Sequence, residues 1–220
     1  FGNGFAFYGK LNDFGWRVAI LEDLNGSEIA YGIRDARGKG YKTYGTDLLK
    51  NISLSYTGIP GLRIGSSVSI NNAPVIFQDD DDKDYILENG KVKASIGVNL
   101  FEVNAKYAAN NIYAVAEYGQ ISYDNSNYNE FTGGNTTGYY FDLGYNIGDL
   151  ANCGKLIPWL RISNVTRDAD AFESTKNSDL MRFGLTWWPI DNIAFKLEYA
   201  NVGNEASSDK ISELNIGIGY

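Results

Sequence analysis

The sequence contains no histidine, and only one cysteine and one methionine. Without histidine the chain lacks the commonest general base and the commonest metal ligand. Ser-His and Asp-His catalytic pairs are therefore excluded within it. Cys153, in NIGDLANCGKLIP, has no second thiol for an intramolecular disulfide and no histidine to activate it, so it reads as structurally incidental. No apolar run approaches the roughly 18 residues that a membrane-spanning helix needs, which excludes a helical membrane protein. A basic stripe is lacking as well. The chain carries 19 Lys and Arg against 27 Asp and Glu, a net charge of −8 and a pI near 4.6, which argues against a nucleic-acid partner. Proline is scarce, with 4 residues in 220, as suits strands whose N–H groups all enter ladders.

What the chain has in quantity is tyrosine, phenylalanine and glycine: 16 Tyr, 11 Phe and 25 Gly, with 4 Trp. This composition suits strands, tight turns and interfacial aromatic girdles. Hydrophobic residues make up 44%, charged residues 21%, and mean hydropathy is −0.28. Those values fit an ordinary soluble protein, but they also fit strands that alternate lipid-facing apolar with lumen-facing polar residues.

Period-two segments bounded by turn residues predict eleven strands, near residues 4–10, 15–23, 50–57, 62–71, 92–107, 111–123, 137–147, 156–165, 180–188, 192–201 and 211–220. In the fifth, apolar parity shifts around Leu100 and Phe101, which predicts a bulge or a missed turn. The connections alternate. LNDF, IPG, AANN, GDLANCGK and PIDN are short; residues 24–49, NNAPVIFQDDDDKDYILENGK, DNSNYNEFTGGNTT, TRDADAFESTKNS and VGNEASSDK are long. A meander with tight turns at one end and long loops at the other predicts a single all-β domain over residues 1–220, a transmembrane antiparallel β-barrel. A soluble β-sandwich or an up-and-down lipid-binding barrel is the competing fold. Aromatics near strand ends, among them Trp16, Tyr56, Tyr118, Trp187, Trp188, Tyr199 and Tyr220, favour the membrane barrel.

The closing stretch ELNIGIGY alternates apolar residues up to Tyr220. Following a long loop, it runs toward the short-turn, periplasmic side and sets Tyr220 in the girdle there. A terminal aromatic resembles the signal that outer-membrane assembly machinery reads in porins. The first strand, GFAFYGK, precedes a short turn and so starts on the opposite side, where an even-stranded barrel cannot begin. The expectation is that an odd number of N-terminal strands is missing, five of them giving a 16-stranded barrel, with a closed 12-stranded barrel as the alternative. The opening FGNGFAFYG, which lacks a Met, agrees with a removed leader or an absent front.

Several segments resemble the C-terminal portion of Gram-negative porins of the phosphate-selective porin O and P type. They are FAFYGKLNDFGWRVAILEDLNG, GIRDARGKG, GIPGLRIGSSVSINNAP, LTWWPIDNIAFKLEYANVG and NIGIGY. The resemblance implies an outer-membrane channel for small hydrophilic solutes, a homotrimer set among outer-membrane lipid and lipopolysaccharide. The family's loop lysines and arginine ladder find no position-by-position match here, which leaves phosphate selectivity unsupported.

If the apolar parity faces lipid, the opposite parity places Arg17, Arg63, Lys106, Glu117, Asp142, Arg161, Arg182, Lys196 and Glu198 in the lumen. Rings of charge set ion preference through a potential screened within about 8 Å at physiological salt. Cations outnumber anions in this set, so one expectation is a weakly anion-preferring channel; the other is salt-bridge networks that only keep the interior wet. The acidic run Asp79, Asp80, Asp81 and Asp82 has two readings, a solvated loop or a Ca²⁺ site, though EF-hand spacing is absent. No other cofactor is expected. An enzyme is not expected either; the rivals to a channel are a plugged barrel acting in adhesion or as a scaffold, and a soluble β-protein that binds lipid.

Overall fold

The computed structural model describes residues 3–38, 40, 43–79, 84–125, 134–148, 153–167, 178–204 and 207–220. Alternation of apolar and polar side chains produces eleven long strands: β1 Gly4–Leu11, β2 Phe14–Leu21, β3 Leu49–Tyr56, β4 Leu62–Pro74, β5 Ser95–Ala109, β6 Ile112–Asn125, β7 Gly134–Tyr145, β8 Lys155–Arg167, β9 Ser178–Ile190, β10 Ile193–Asn204 and β11 Ser207–Gly219. They form one sheet in sequence order, each strand antiparallel to the next. Two-residue hairpins follow from asparagine chemistry. Asn110 and Asn111 hold φ of 52° and 61°, the doubly positive pair that a type I′ turn requires and that asparagine tolerates.

Two expectations need correction. β5 pairs with β4 from Leu62↔Tyr107 to Pro74↔Ser95, and with β6 from Ala109↔Ile112 to Ile96↔Asn125, without a break. There is thus no bulge and no turn at Leu100 and Phe101. The long final connection is the second correction: β10 extends to Asn204 and β11 starts at Ser207, aided by a register shift between Val202 and Asn204.

The registers divide the sheet into two faces. Phe7, Val18, Leu54, Phe101, Tyr139, Phe141, Phe183, Leu197 and Ile216 share one, and all are exposed. Among the described residues no second layer covers them, which rules out a sandwich. A soluble lipid-binding barrel would carry its apolar side chains inside, the reverse of what is seen. The polar face is concave. One cavity of about 510 Å³ is lined by Tyr113 and Val115 of β6 together with Lys196 and Glu198 of β10. Four strand spacings of about 4.8 Å would separate those residues by roughly 19 Å in a flat sheet. The described pairings run in line from β1 to β11, leaving one edge of each outer strand without a described partner.

The apolar parity shift in β5 has a different cause. The connection between β2 and β3 folds back over the concave face, carrying a short 3-10 helix, Gly26–Tyr31. Its Leu24, Ile29 and Ala36 pack on Ala73 of β4, Ile96 and Val98 of β5, and Tyr123 of β6. Ile29 is fully buried, worth about 2–3 kcal/mol of apolar transfer. Leu24 N–H donates to Asn71 Oδ1 at 3.0 Å, and Ile76 N–H donates to Ser27 Oγ at 2.8 Å. Close approach also requires a glycine. A Cβ on Gly26 would stand 2.6 Å from the Ala73 carbonyl oxygen.

Candidate functional site

Pairing carries one face across the whole sheet. Arg17 opposes Ser53, Ser53 opposes Ser67, and Arg63 opposes Lys106. Farther along, Glu117 opposes Tyr140, Asp142 opposes Arg161, Arg161 opposes Arg182, Gly184 opposes Glu198 and Thr186 opposes Lys196. Because side chains alternate with a strict period of two, all nine residues singled out in the sequence project from the concave face.

Eight of the nine fall into two groups; the ninth, Glu117 of β6, faces Tyr140 of β7. On β7 to β10 every one of these charges is paired, two carboxylates serving three cations. Arg161 clamps Asp142 through Nε to Oδ1 at 2.6 Å and Nη2 to Oδ2 at 2.5 Å, a two-pronged geometry that only a guanidinium supplies. Its guanidinium also lies 5.2 Å from the Tyr140 ring centre. Glu198, buried at its carboxylate, is shared by Arg182 Nη1 at 3.1 Å and Lys196 Nζ at 2.8 Å. Lys196 sits 4.7 Å from the centre of the Trp159 ring, whose Nε1 donates to Thr186 Oγ1 at 3.0 Å.

On β2, β4 and β5 the cations are not matched. Among the described residues Arg17, Arg63 and Lys106 enter no ion pair, although Arg63 and Lys106 face each other directly. Arg17 and Arg63 line a cavity of about 470 Å³ with Asn51, Ser53 and Asn104. One charged neighbour escaped the sequence reading. Glu102 shares this cavity, accepts from Ser67 Oγ at 3.1 Å and also accepts from Asn104 Nδ2. The parity of β5 would have revealed it, had Leu100 and Phe101 not suggested a break.

Sequence reasoning also missed the loop. Asp23 is buried and binds the loop's far end: Oδ1 accepts from Tyr44 N–H at 3.2 Å, and Oδ2 accepts from Thr46 N–H at 3.0 Å and Thr46 Oγ1 at 3.2 Å. Asp47 anchors the end of the loop, accepting from Lys50 Nζ at 2.6 Å and from Asn72 N–H at 2.8 Å. Partial burial acts to raise the Asp47 pKa, but the Lys50 and Asn72 hydrogen bonds and the Lys50 charge outweigh it and hold the group below the ordinary aspartate value. The residues Asp80, Asp81 and Asp82 lie outside the described ones; Asp79 is exposed. Among the described residues no three His, Cys, Asp or Glu side chains converge as metal ligands would. Tyr220 is fully exposed, and Cys153 offers its carbonyl to Trp187 Nε1 at 2.7 Å.

The polar concave face, apolar convex face and sequential antiparallel order define the fold of an outer-membrane β-barrel of the porin type. Solved structures agree. The chain is similar to an anion-selective porin from Comamonas acidovorans, at 12% identity and a TM-score of 0.62, over 98% of this chain and 54% of that one. It is similar to a second porin at 9% identity and a TM-score of 0.59, over 98% of this chain and 60% of that one. OmpT, an outer membrane protein of Vibrio cholerae, matches at 12% identity and a TM-score of 0.51, over 97% of this chain and 62% of that one. The chain therefore spans little more than half the length of these structures. No protein-family model and no curated protein matches it, so the resemblance to phosphate-selective porins rests on its sequence motifs alone.

Proposed function

We propose that the chain forms part of the wall of a bacterial outer-membrane channel, through which small hydrophilic solutes diffuse passively, and that it is not an enzyme. The observation that carries this reading is the inverted polarity of the sheet, charged on its concave side and exposed apolar on its convex side. Lipid is the medium that such a convex face fits. In this reading the nine concave-face residues line the pore, and Arg17, Arg63 and Lys106 give it a weak preference for anions. Their support is the contrast in pairing among the described residues: Asp142 and Glu198 are ion-paired to Arg161, Arg182 and Lys196, whereas Arg17, Arg63 and Lys106 enter no ion pair. The likeness to a porin described as anion-selective points the same way.

Among the described residues one edge each of β1 and β11 has no partner, which fits closure by further strands, sixteen in all, since an open edge is not stable in hydrocarbon. A homotrimer fits too, one OmpT structure being of a trimer form. Lipopolysaccharide would surround the upper wall, and assembly machinery would read Tyr220. The acidic run from Asp79 to Asp82 is read as a solvated loop, with no resident metal. A plugged barrel is the second reading, favoured by the loop that covers part of the concave face.

Conductance of the full-length protein in a planar bilayer under a KCl gradient tests both. Discrete steps with an anion-selective zero-current potential, reduced in Arg17→Gln and Arg63→Gln, are the expected result. Folded, heat-modifiable protein that carries no current would establish the plugged barrel.

A further inference from the structure

The infolded loop leaves a separate cavity of about 680 Å³ between itself and strands β2 to β5. This is within the usual range for small-molecule sites, roughly 300–1,000 Å³. Its wall has two characters. Leu21, Ile33, Val98 and Leu100 supply aliphatic surface, while the exposed residues Arg17, Arg34 and Arg37 line the same space. None of the three arginines forms an ion pair among the described residues. Arg37 is held over the loop by its Nε, which donates to the Arg34 carbonyl at 3.1 Å.

Two carboxylates reach the cavity, and both already have partners. Asp23 is occupied by Tyr44 and Thr46, and Glu22 Oε1 accepts from Gly40 N–H at 3.0 Å. Among the described lining residues, three arginines against two acids leave one positive charge in excess. A hydrated inorganic anion would balance that charge but leave the aliphatic wall wet. A neutral apolar molecule would cover the wall and leave the guanidinium groups unserved. A molecule with one carboxylate and a short alkyl chain satisfies both, since guanidinium groups bind carboxylate in a fork.

We propose that this cavity is a binding site for aliphatic monocarboxylates, the carboxylate held by Arg17, Arg34 and Arg37 and the alkyl chain lying along Leu21, Val98 and Leu100. It deepens the channel reading by naming a solute class, and it rests on that reading for the solute's route but not for its binding. Calorimetry of the full-length protein in non-ionic detergent, with acetate, butyrate and hexanoate and with empty-micelle heats subtracted, tests the site. Affinity should rise two- to fourfold per methylene, on the scale of a CH₂ leaving water. It should fall at least tenfold for hexanoate in the Arg34→Gln/Arg37→Gln variant. Leu100→Asn should flatten the chain-length trend while sparing acetate. Equal affinity for all three acids, or hexanoate binding unchanged in the arginine variant, would overturn the site. Conductance measured on the same preparations separates the two ideas: a conducting protein indifferent to chain length keeps the channel and loses the site, and a non-conducting protein with the chain-length trend does the reverse.

Discussion

Asp142 and Arg161 neutralise one another across β7 and β8, so removing either one exposes the other on the concave wall. Asp142→Asn should move the zero-current potential toward anions and Arg161→Gln toward cations. Each should change the permeability ratio by a factor of about two, the scale of a half-exposed pair in wet surroundings. Shifts of the same sign in both variants would show that the pair does not face the permeation path. Asp47 gives a prediction in pH. Its pKa is held below the ordinary aspartate value, so its anchoring is complete above about pH 3.9 and is lost only as pH falls through the lower, folded-state value. Protease sensitivity of the loop should therefore stay low at neutral pH and rise in acid. The Asp47→Asn protein should be more sensitive at neutral pH, and its sensitivity should change less with acid. The first role was partly legible in the sequence and the second was not: alternation put Asp142 and Arg161 on one face, but nothing local told that they would be cross-strand partners, because register is set by whole hairpins.

At the scale of elements, the loop between β2 and β3 is the feature that alternation alone concealed. Ile96, Val98 and Leu100 are a run of apolar residues on a face that is otherwise mostly polar, and in the sequence this looked like a break in the strand. The strand is continuous; what changes is its cover. A periodicity argument assigns one solvent to each face, and it fails where a loop replaces water over part of a face. For the same reason Arg34 and Arg37 in GIRDARGKG carried no assigned role until the loop's path was known. Ile29→Ala should cost about 2–4 kcal/mol at this contact. Hydrogen exchange would then quicken across residues 22–48 while β7 to β10 remain protected. Gly26→Ala should act similarly, by forcing the loop away from the Ala73 carbonyl. Uniform loss of protection through all strands would mean that the loop is integral to the sheet's own stability.

For the whole molecule the eleven strands and their order were readable from turn chemistry and alternation, while the curvature was not, since it depends on twist accumulated over many pairings. Most of the short-turn and long-loop rhythm was readable as well. The final loop was overestimated because VGNEASSDK is polar, although the ladder continues through much of it. The distribution of charge yields a prediction at this scale. Anion preference set by exposed cations should weaken as KCl is raised from 0.1 M to 1 M, where the screening length drops from about 10 Å to about 3 Å. Zero-current potentials at constant gradient ratio would measure it. A preference independent of salt would point to size exclusion as its source.

The covering of Ile96 and Val98 by the loop also bears on the order of folding events. Strands β2 and β3 are neighbours in the sheet, so their pairing already holds the ends of the loop together, and docking it pays little further closure entropy. The sheet can thus zip first, with a wet aliphatic patch open on its concave side, and the loop can settle onto it afterwards. Refolding into bilayers should accordingly show two phases. Strand formation comes first and would be seen by circular dichroism. A later protection of the loop should follow, and Ile29→Ala should slow or abolish it without altering the first phase.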